Sequence, residues 1–489
     1  MTTDHRMFVG GAWTESESGV ATEATSPATG ETIGTVPEGT QEDARRAIGA
    51  ANAAWRDWAA RSAFERAAAM ERVAQLIVER RDDLARTLTL DQGKPLQAES
   101  YGEVDELVEY FRMAAADATR IEGSMPPSID ASKRILAYRV PRGVVGVITP
   151  WNWPYTMAAE VVAPALASGN AVVWVPASST SICSIKLAEC IADAELPAGV
   201  FNLVTGPGQV VGDEIASSPG THAIAFVGST ETGLKVAARA AGKALLLEMG
   251  GNGPLIVLDD ADVGAAAAAS LSAAFLCAGQ SCTAGERFLV HERVHDEFVE
   301  RLREAITTEI RLGDPFADET TMGPLNNEPT AEKMDRHVAD ALHRGAEALV
   351  GGARAGGFPT SLYYEPTVLD RVTGEMEVAT EETFGPVVPI STIASDEEAL
   401  QITNESPYGL LAAVWTRDLA RGLRFAEAAR AGWVNVNESS NYWESHLPFG
   451  GRAGSRSGVG RVGGRHALDT FTELKTVVVS LGSEYGLQP

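Results

Sequence analysis

From Val144 onward the chain alternates short apolar runs with amphipathic stretches, and that rhythm limits its fold more than any other feature. The runs Val144–Ile148, Ala171–Val175, Phe201–Val204, Ala223–Val227 and Ala244–Glu248 are short and bounded by turn residues, so they read as strands. Helical spacing covers 155–168, 180–193, 209–217 and 230–241 between them. Strands buried on both faces and joined by helices form parallel sheets, and right-handed crossovers place helix layers on both sides. An α/β fold with a nucleotide-binding domain is expected. After Gly250 the pattern resumes, with strands near 254–258, 286–290, 387–392, 410–415 and 433–436. Helices near 262–277, 294–310, 329–345 and 418–430 separate them. The β-branched run Thr476–Val479 reads as a strand with no obvious partner nearby. Before Val144 a short strand-like start, Met7–Trp13, precedes helical segments at 41–58, 62–91 and 98–120, ended by Pro126-Pro127.

At 489 residues the chain exceeds one hydrophobic core and is expected to divide into two or three domains. No stretch reaches the ~18 apolar residues that a membrane helix needs. The first residues, MTTDHRMFVGGAW, lack the features of a secretory signal, so a cytoplasmic protein is expected. The net charge of −26 argues against nucleic acid, whose phosphates need a basic footprint. Its spread along the chain fits a solvated surface instead. The four cysteines, Cys183, Cys190, Cys277 and Cys282, have neither zinc spacing nor the density of a disulfide scaffold, so no metal is expected. One of them is then a candidate for reactivity. Cys183 and Cys190, two turns apart on one helix, are more simply packing residues, as is Cys277.

Five segments in order, ITPWNWP (148–154), LLLEMGGNGP (245–254), GQSCTAGER (279–287), EETFGPV (381–387) and PFGG (448–451), closely resemble the aldehyde dehydrogenase superfamily. Glu248 and Cys282 stand 34 positions apart, as in that family, and the likeness extends to the FTELK segment near the C-terminus. The resemblance implies a Rossmann-type cofactor domain (1–122 and 142–249), an α/β catalytic domain (250–467) and a small β oligomerisation ribbon (123–141 with 468–489). It implies oxidation of an aldehyde to a carboxylic acid, with NAD or NADP as cofactor; the ribbon strands, without obvious partners in their own domains, are expected to complete a neighbour's sheet in a homodimer or homotetramer.

Residue by residue, the resemblance makes Cys282 the nucleophile, since a thiolate adds readily to an aldehyde carbonyl. Asn152 becomes the side-chain half of an oxyanion hole, completed by the Cys282 N–H. Glu248, at the end of a buried strand, becomes the base that activates water against the thioester. The turn Phe226–Thr230 joins a strand to a helix whose N-terminal amides favour a pyrophosphate; Gly228, Ser229, Pro150 and Trp151 belong to this contact. Glu382 is expected on the nicotinamide ribose and Phe384 beside the ring.

Two departures stand out. After the second strand the family carries a lysine and often, three residues later, a glutamate that disfavours NADP. Here Val175 and Ser178 hold those places, leaving cofactor choice open; the lack of a basic side chain favours NAD. Between PFGG and SGVGR stand five residues, Arg452 to Arg456, where the family has three. Family substrate positions fall on Trp153, Thr156, Met157, Glu160, Ser281, Thr283 and the 437–447 loop with Tyr442 and Trp443. Relatives that take carboxylate- or phosphonate-bearing aldehydes place an arginine in such positions, and 437–447 has none. A neutral aromatic or aliphatic aldehyde is therefore expected. Glu160 and Glu444 keep an amino-aldehyde open, and a semialdehyde is the further alternative. Acyl transfer to coenzyme A is disfavoured because members of that kind usually lack the glutamate at 248. A non-catalytic binding protein is disfavoured by the intact Asn152–Glu248–Cys282 set.

Overall fold

The computed structural model describes residues 3–482. Residues 483–489, at the end of the expected ribbon, and residues 1–2 lie outside the described residues.

The alternating segment forms an eight-stranded sheet. Its parallel centre runs Ala244–Glu248, Ala223–Val227, Val144–Ile148, Ala171–Val175, Phe201–Leu203, each paired with the next in that order. Chain order departs on both sides of Val144–Ile148, the arrangement that opens a crevice beyond the carboxyl ends of the strands. The loops after Ile148 and Val227 flank that crevice. The strands AVVWV and AIAFV are buried throughout, and each buried Val, Ile or Phe side chain contributes on the order of 1.5–3 kcal/mol. Trp174 adds a polar tie, its indole N–H donating to Thr149 Oγ1 at 2.8 Å just ahead of Pro150-Trp151.

The second sheet has seven strands, in the order Glu347–Val350, Thr367–Asp370, Val387–Ile393, Arg287–His291, Pro254–Val257, Leu411–Trp415, Trp433–Val436. All pairs are parallel except the first. Cys282 precedes the strand at 287 and Glu382 the strand at 387, so both approach from the amino ends of this sheet. Glu248 approaches from the carboxyl end of the first sheet.

Several expectations change. Met7–Val9 and Ala12–Thr14 form a hairpin on the edge of the first sheet, and Ala21–Thr25 with Thr32–Pro37 make further strands before the first helix at Gln41. The strand-like start at Met7–Trp13 is thus a hairpin, whereas Ala21–Thr25 and Thr32–Pro37 add threonine-bearing strands where none was expected. The 62–91 segment breaks at Arg80 into Ala63–Glu79 and Arg81–Gln92. The segment expected as a helix at 98–120 forms a wide turn, Leu96–Ser100, followed by the helix Tyr101–Ala118. The expected 209–217 helix divides into a wide turn, Gly208–Gly212, and a short helix, Asp213–Ser217. The C-terminal strand does have a partner within the chain, since Thr472–Ser480 pairs antiparallel with Lys133–Pro141 along nine residues each. Gly458–Val459 adds antiparallel to Ala244–Glu248, so part of the segment 250–467 completes the first sheet. No helix among the described residues is long and apolar enough to cross a membrane.

Candidate active site

The nucleophile turn is held in an unusual conformation by named bonds. The alanine-rich helix Val263–Phe275 gives way to Leu276–Gly279, where Cys277 and Ala278 take φ of 54° and 51°. That left-handed backbone costs a residue with a Cβ roughly 1–2 kcal/mol. Glu99 offsets it by accepting the Cys277 N–H with both carboxylate oxygens, at 3.1 and 3.0 Å. Gln280 donates to Cys277 O at 2.8 Å and accepts the Asn326 N–H at 2.9 Å. Gly279 passes so close to Gly385 that a Cβ would meet the latter's carbonyl oxygen at 2.1 Å. Only glycine fits there, and the contact sets Cys282 beside the 381–387 segment. The other three cysteines are buried, whereas Cys282 is partly exposed, and none of the four is paired.

Asn152 is buried in the loop after Val144–Ile148, and its Nδ2 donates to Gln280 O at 2.9 Å. The side-chain amide has two N–H groups, and this bond uses one. Glu248 ends its strand 4% exposed, and neither carboxylate oxygen has a hydrogen-bond partner. Burial pushes its carboxyl well above the usual range, the charge of Glu160 adds to this, and Arg461 opposes it. Burial likewise raises the Cys282 thiol, reinforced by the charges of Glu382, Glu248 and Glu160. Its own backbone N–H opposes that shift.

Asn152, Glu248 and Cys282 all line one cleft of about 700 Å³. Pro150, Trp151, Ser178, Gly228, Ser229, Glu382 and Phe384 line it too. Ser229 caps the helix Thr230–Arg239, accepting the Thr232 N–H at 3.4 Å, and leaves the helix N-terminus facing the cleft. Glu382 Oε1 accepts the Gly251 N–H at 2.7 Å. Phe384, at φ 61°, meets Trp151 edge-on at 5.5 Å. Lys333, which the sequence does not single out, is the one basic side chain on the cleft wall among the described residues, and it lies 5.7 Å from the Phe384 ring. A crevice at the sheet's switch point, a helix N-terminus for phosphate and an apolar slot ending at Cys282 suit a dinucleotide.

A smaller cavity, about 120 Å³, meets the cleft at Cys282, Met157 and Phe449. Of the expected substrate residues, Trp153, Thr156, Met157, Ser281, Thr283 and Trp443 line it. Two depart from expectation. Glu160 faces the larger cleft, buried, with the Tyr110 hydroxyl donating to it at 3.3 Å. Tyr442 turns outward, half-exposed, and donates to Glu444 at 2.6 Å, so neither it nor Glu444 reaches the cavity. The acid that does reach it is Glu106, from the helix Tyr101–Ala118. It accepts from Trp443 Nε1 at 3.2 Å and Thr156 Oγ1 at 3.1 Å, and burial raises its carboxyl. Nothing in the sequence distinguishes it from the surface acids of the same helix. Leu276, Asn441 and Phe449 complete the wall, with no lysine or arginine among the described residues. The long Arg452–Arg456 loop lies elsewhere, bonded to Gly409 O, Pro407 O and the Thr230 hydroxyl.

Comparison with known proteins matches this arrangement to one family. Residues 13–477 match the model of the aldehyde dehydrogenase family. The chain belongs to the aldehyde dehydrogenase family. As such it is an NAD(P)-dependent oxidoreductase acting on an aldehyde. It is 38% identical over 479 residues to the NADP(+) succinate-semialdehyde dehydrogenase GabD of Escherichia coli strain K12, spanning 97% of each chain. Among solved structures, a succinate-semialdehyde dehydrogenase from Burkholderia pseudomallei superposes with a TM-score of 0.94 at 40% identity, covering 97% of this chain and 98% of that one. The betaine aldehyde dehydrogenase of Staphylococcus aureus, solved with NAD+, gives 0.94 at 34% identity, covering 98% and 95%. The aldehyde dehydrogenase fold of this chain is thus shared by relatives that differ in both substrate and cofactor.

Proposed function

We propose that this aldehyde dehydrogenase oxidises its substrate through a covalent thioester on Cys282, with Glu248 as base and Asn152 as oxyanion donor. The reading rests on one observation above all: a buried carboxylate with two unpartnered oxygens shares a cleft with the one partly exposed thiol. The Cys282 thiolate adds to the aldehyde carbon, and the new oxyanion lies between the free N–H of the Asn152 amide and the Cys282 backbone N–H. The oxidised nicotinamide supplies a hydride acceptor and a positive charge that favours the thiolate. Glu248 then takes a proton from water as the water attacks the thioester, and the Cys282 thiolate leaves. Ionised Glu248 inside the cleft favours water over coenzyme A as acceptor; acid released without coenzyme A is the check.

For the substrate we infer a neutral aromatic or aliphatic aldehyde, because the cavity offers two tryptophans and Phe449 but no cation to meet a carboxylate. Glu106 supports a second reading, an amino-aldehyde whose ammonium group faces that acid between Trp153 and Trp443. A panel of benzaldehyde, hexanal, 4-aminobutanal and succinate semialdehyde, each with NAD and NADP, separates the readings. Succinate semialdehyde should give the lowest kcat/KM, and its ranking first would overturn both. We infer NAD over NADP because the cleft wall at Val175–Ser178 carries no basic side chain. The reading includes a cytoplasmic location, the division into cofactor, catalytic and ribbon parts, and a homodimer or homotetramer built on the ribbon. Leu474 and Val478, exposed on that ribbon, support the assembly; a monomeric mass in light scattering would contradict it.

A further inference from the structure

Glu286 lies four residues beyond Cys282, and neither cavity is lined by it. It is 3% exposed, yet its carboxylate is fully engaged. Oε2 accepts the N–H of Thr383 at 2.7 Å and Oε1 accepts that of Phe384 at 2.8 Å. Its own N–H donates to Gly253 O at 3.1 Å, fixing the base of the side chain to the glycine segment after Glu248. Phe384 needs such support, because a bulky side chain rarely holds a φ of 61°. His337 Nδ1 meets Thr383 Oγ1 at 3.0 Å, a second tie on the same turn. The aldehyde chemistry described above makes no use of Glu286.

We propose that Glu286 is a positioning residue for the cofactor, clamping the Glu382–Phe384 turn to the nucleophile turn so that the nicotinamide end meets a preset surface beside Cys282. The proposal rests on the reading of Glu382 and Phe384 as cofactor contacts.

The clamp is sensitive to protonation. An ionised carboxylate accepts both N–H groups, whereas a carboxylic acid turns one oxygen into a donor and loses a partner. Burial first, then the charge of Glu382, push the Glu286 carboxyl up to about 8, opposed by the two N–H bonds and by Lys333. Arg287 and Tyr408 are the other titratable groups coupled to it. Cofactor affinity should therefore rise as pH passes upward through about 8, because that is where the second acceptor is gained.

The test is equilibrium titration of NADH and NADPH fluorescence across that range for the parent, Glu286→Gln and Glu382→Gln, with hydrogen exchange on the parent. Glu286→Gln, which keeps one acceptor, should bind about tenfold more weakly at alkaline pH, about 1.4 kcal/mol, and lose most of the pH dependence. Glu382→Gln should weaken binding but retain it. In the parent without cofactor, the Thr383 and Phe384 amides should be protected at alkaline pH and lose protection relative to intrinsic exchange as pH falls. This measurement stands even if the variants fail to fold. Parental affinity and pH dependence in Glu286→Gln, beside a weakened Glu382→Gln, would overturn the clamp alone. If Glu382→Gln also bound like the parent, the cofactor reading of the turn would fail, and the clamp with it.

Discussion

The side-chain amide of Asn152 donates to the carbonyl oxygen of Gln280 at 2.9 Å, joining the loop after the first central strand to the turn that carries Cys282. The two segments are far apart in sequence and belong to different sheets. This bond fixes the orientation of the amide before substrate arrives, which is what an oxyanion donor requires.

Asn152→Ala should lower the rate of the first NAD(P)H turnover by about 10²–10³-fold, the cost of one prepositioned oxyanion donor. Stopped-flow absorbance on a single turnover measures it. A loss confined to KM would mean the amide serves only ground-state binding.

Without cofactor, burial and three nearby carboxylates hold the Cys282 thiol above its ordinary value, so the free enzyme should react slowly with iodoacetamide at neutral pH. NAD+ brings a positive charge to the same cleft. Alkylation should then accelerate, and its pH midpoint should fall. Protection by NAD+ across all pH values would contradict this.

Glu248 must be ionised to act as a base, and its carboxyl is raised well above the ordinary range by burial. Hydrolysis of the thioester should therefore rise with pH and fade as pH drops, well above where an exposed glutamate titrates. Stability runs the other way. The folded chain keeps a proton on Glu248 that the unfolded chain has released, so this residue destabilises the fold increasingly as pH rises above the ordinary glutamate value. Glu248→Gln should accordingly raise the melting temperature of the cofactor-free protein at neutral and alkaline pH, and not at pH near or below that value. Calorimetry over a pH series checks the sign.

Glu106→Gln should leave kcat/KM for hexanal within about threefold, a change of under 1 kcal/mol. If an amino-aldehyde is the natural substrate, the same change should lower its kcat/KM at least tenfold, about 1.4 kcal/mol. Equal effects on both substrates would assign Glu106 to holding Trp443 and Thr156 rather than to selecting charge.

The strands and helices of the first sheet were legible from Val144 to Glu248 because each strand is buried on both faces and so reads as an unbroken apolar run. The strands Ala21–Thr25 and Thr32–Pro37 were not, because they pair in a small separate sheet, partly exposed, where polar threonines are tolerated. No local pattern reveals the partner of Thr472–Ser480, which lies more than 300 residues away; only the family resemblance put 123–141 with 468–489 in one ribbon. At the site, the motifs point to Cys282, Glu248 and Asn152, which line one cleft. They said nothing of Glu106, an acid on an acid-rich helix, or of Glu286, whose role lies in accepting backbone N–H groups. Glu160, expected at the substrate cavity, lines the larger cleft instead, because sequence alone does not reveal which way the buried helix Thr156–Ala167 turns it.

The central claim, a thioester on Cys282 released through Glu248, is tested most directly by mass spectrometry of Glu248→Gln after incubation with an aldehyde and NAD(P). The peptide carrying Cys282 should gain the mass of the aldehyde less two hydrogens, in step with one equivalent of NAD(P)H. One equivalent of NAD(P)H with Cys282 unmodified, or continued turnover at the parental rate, would contradict it.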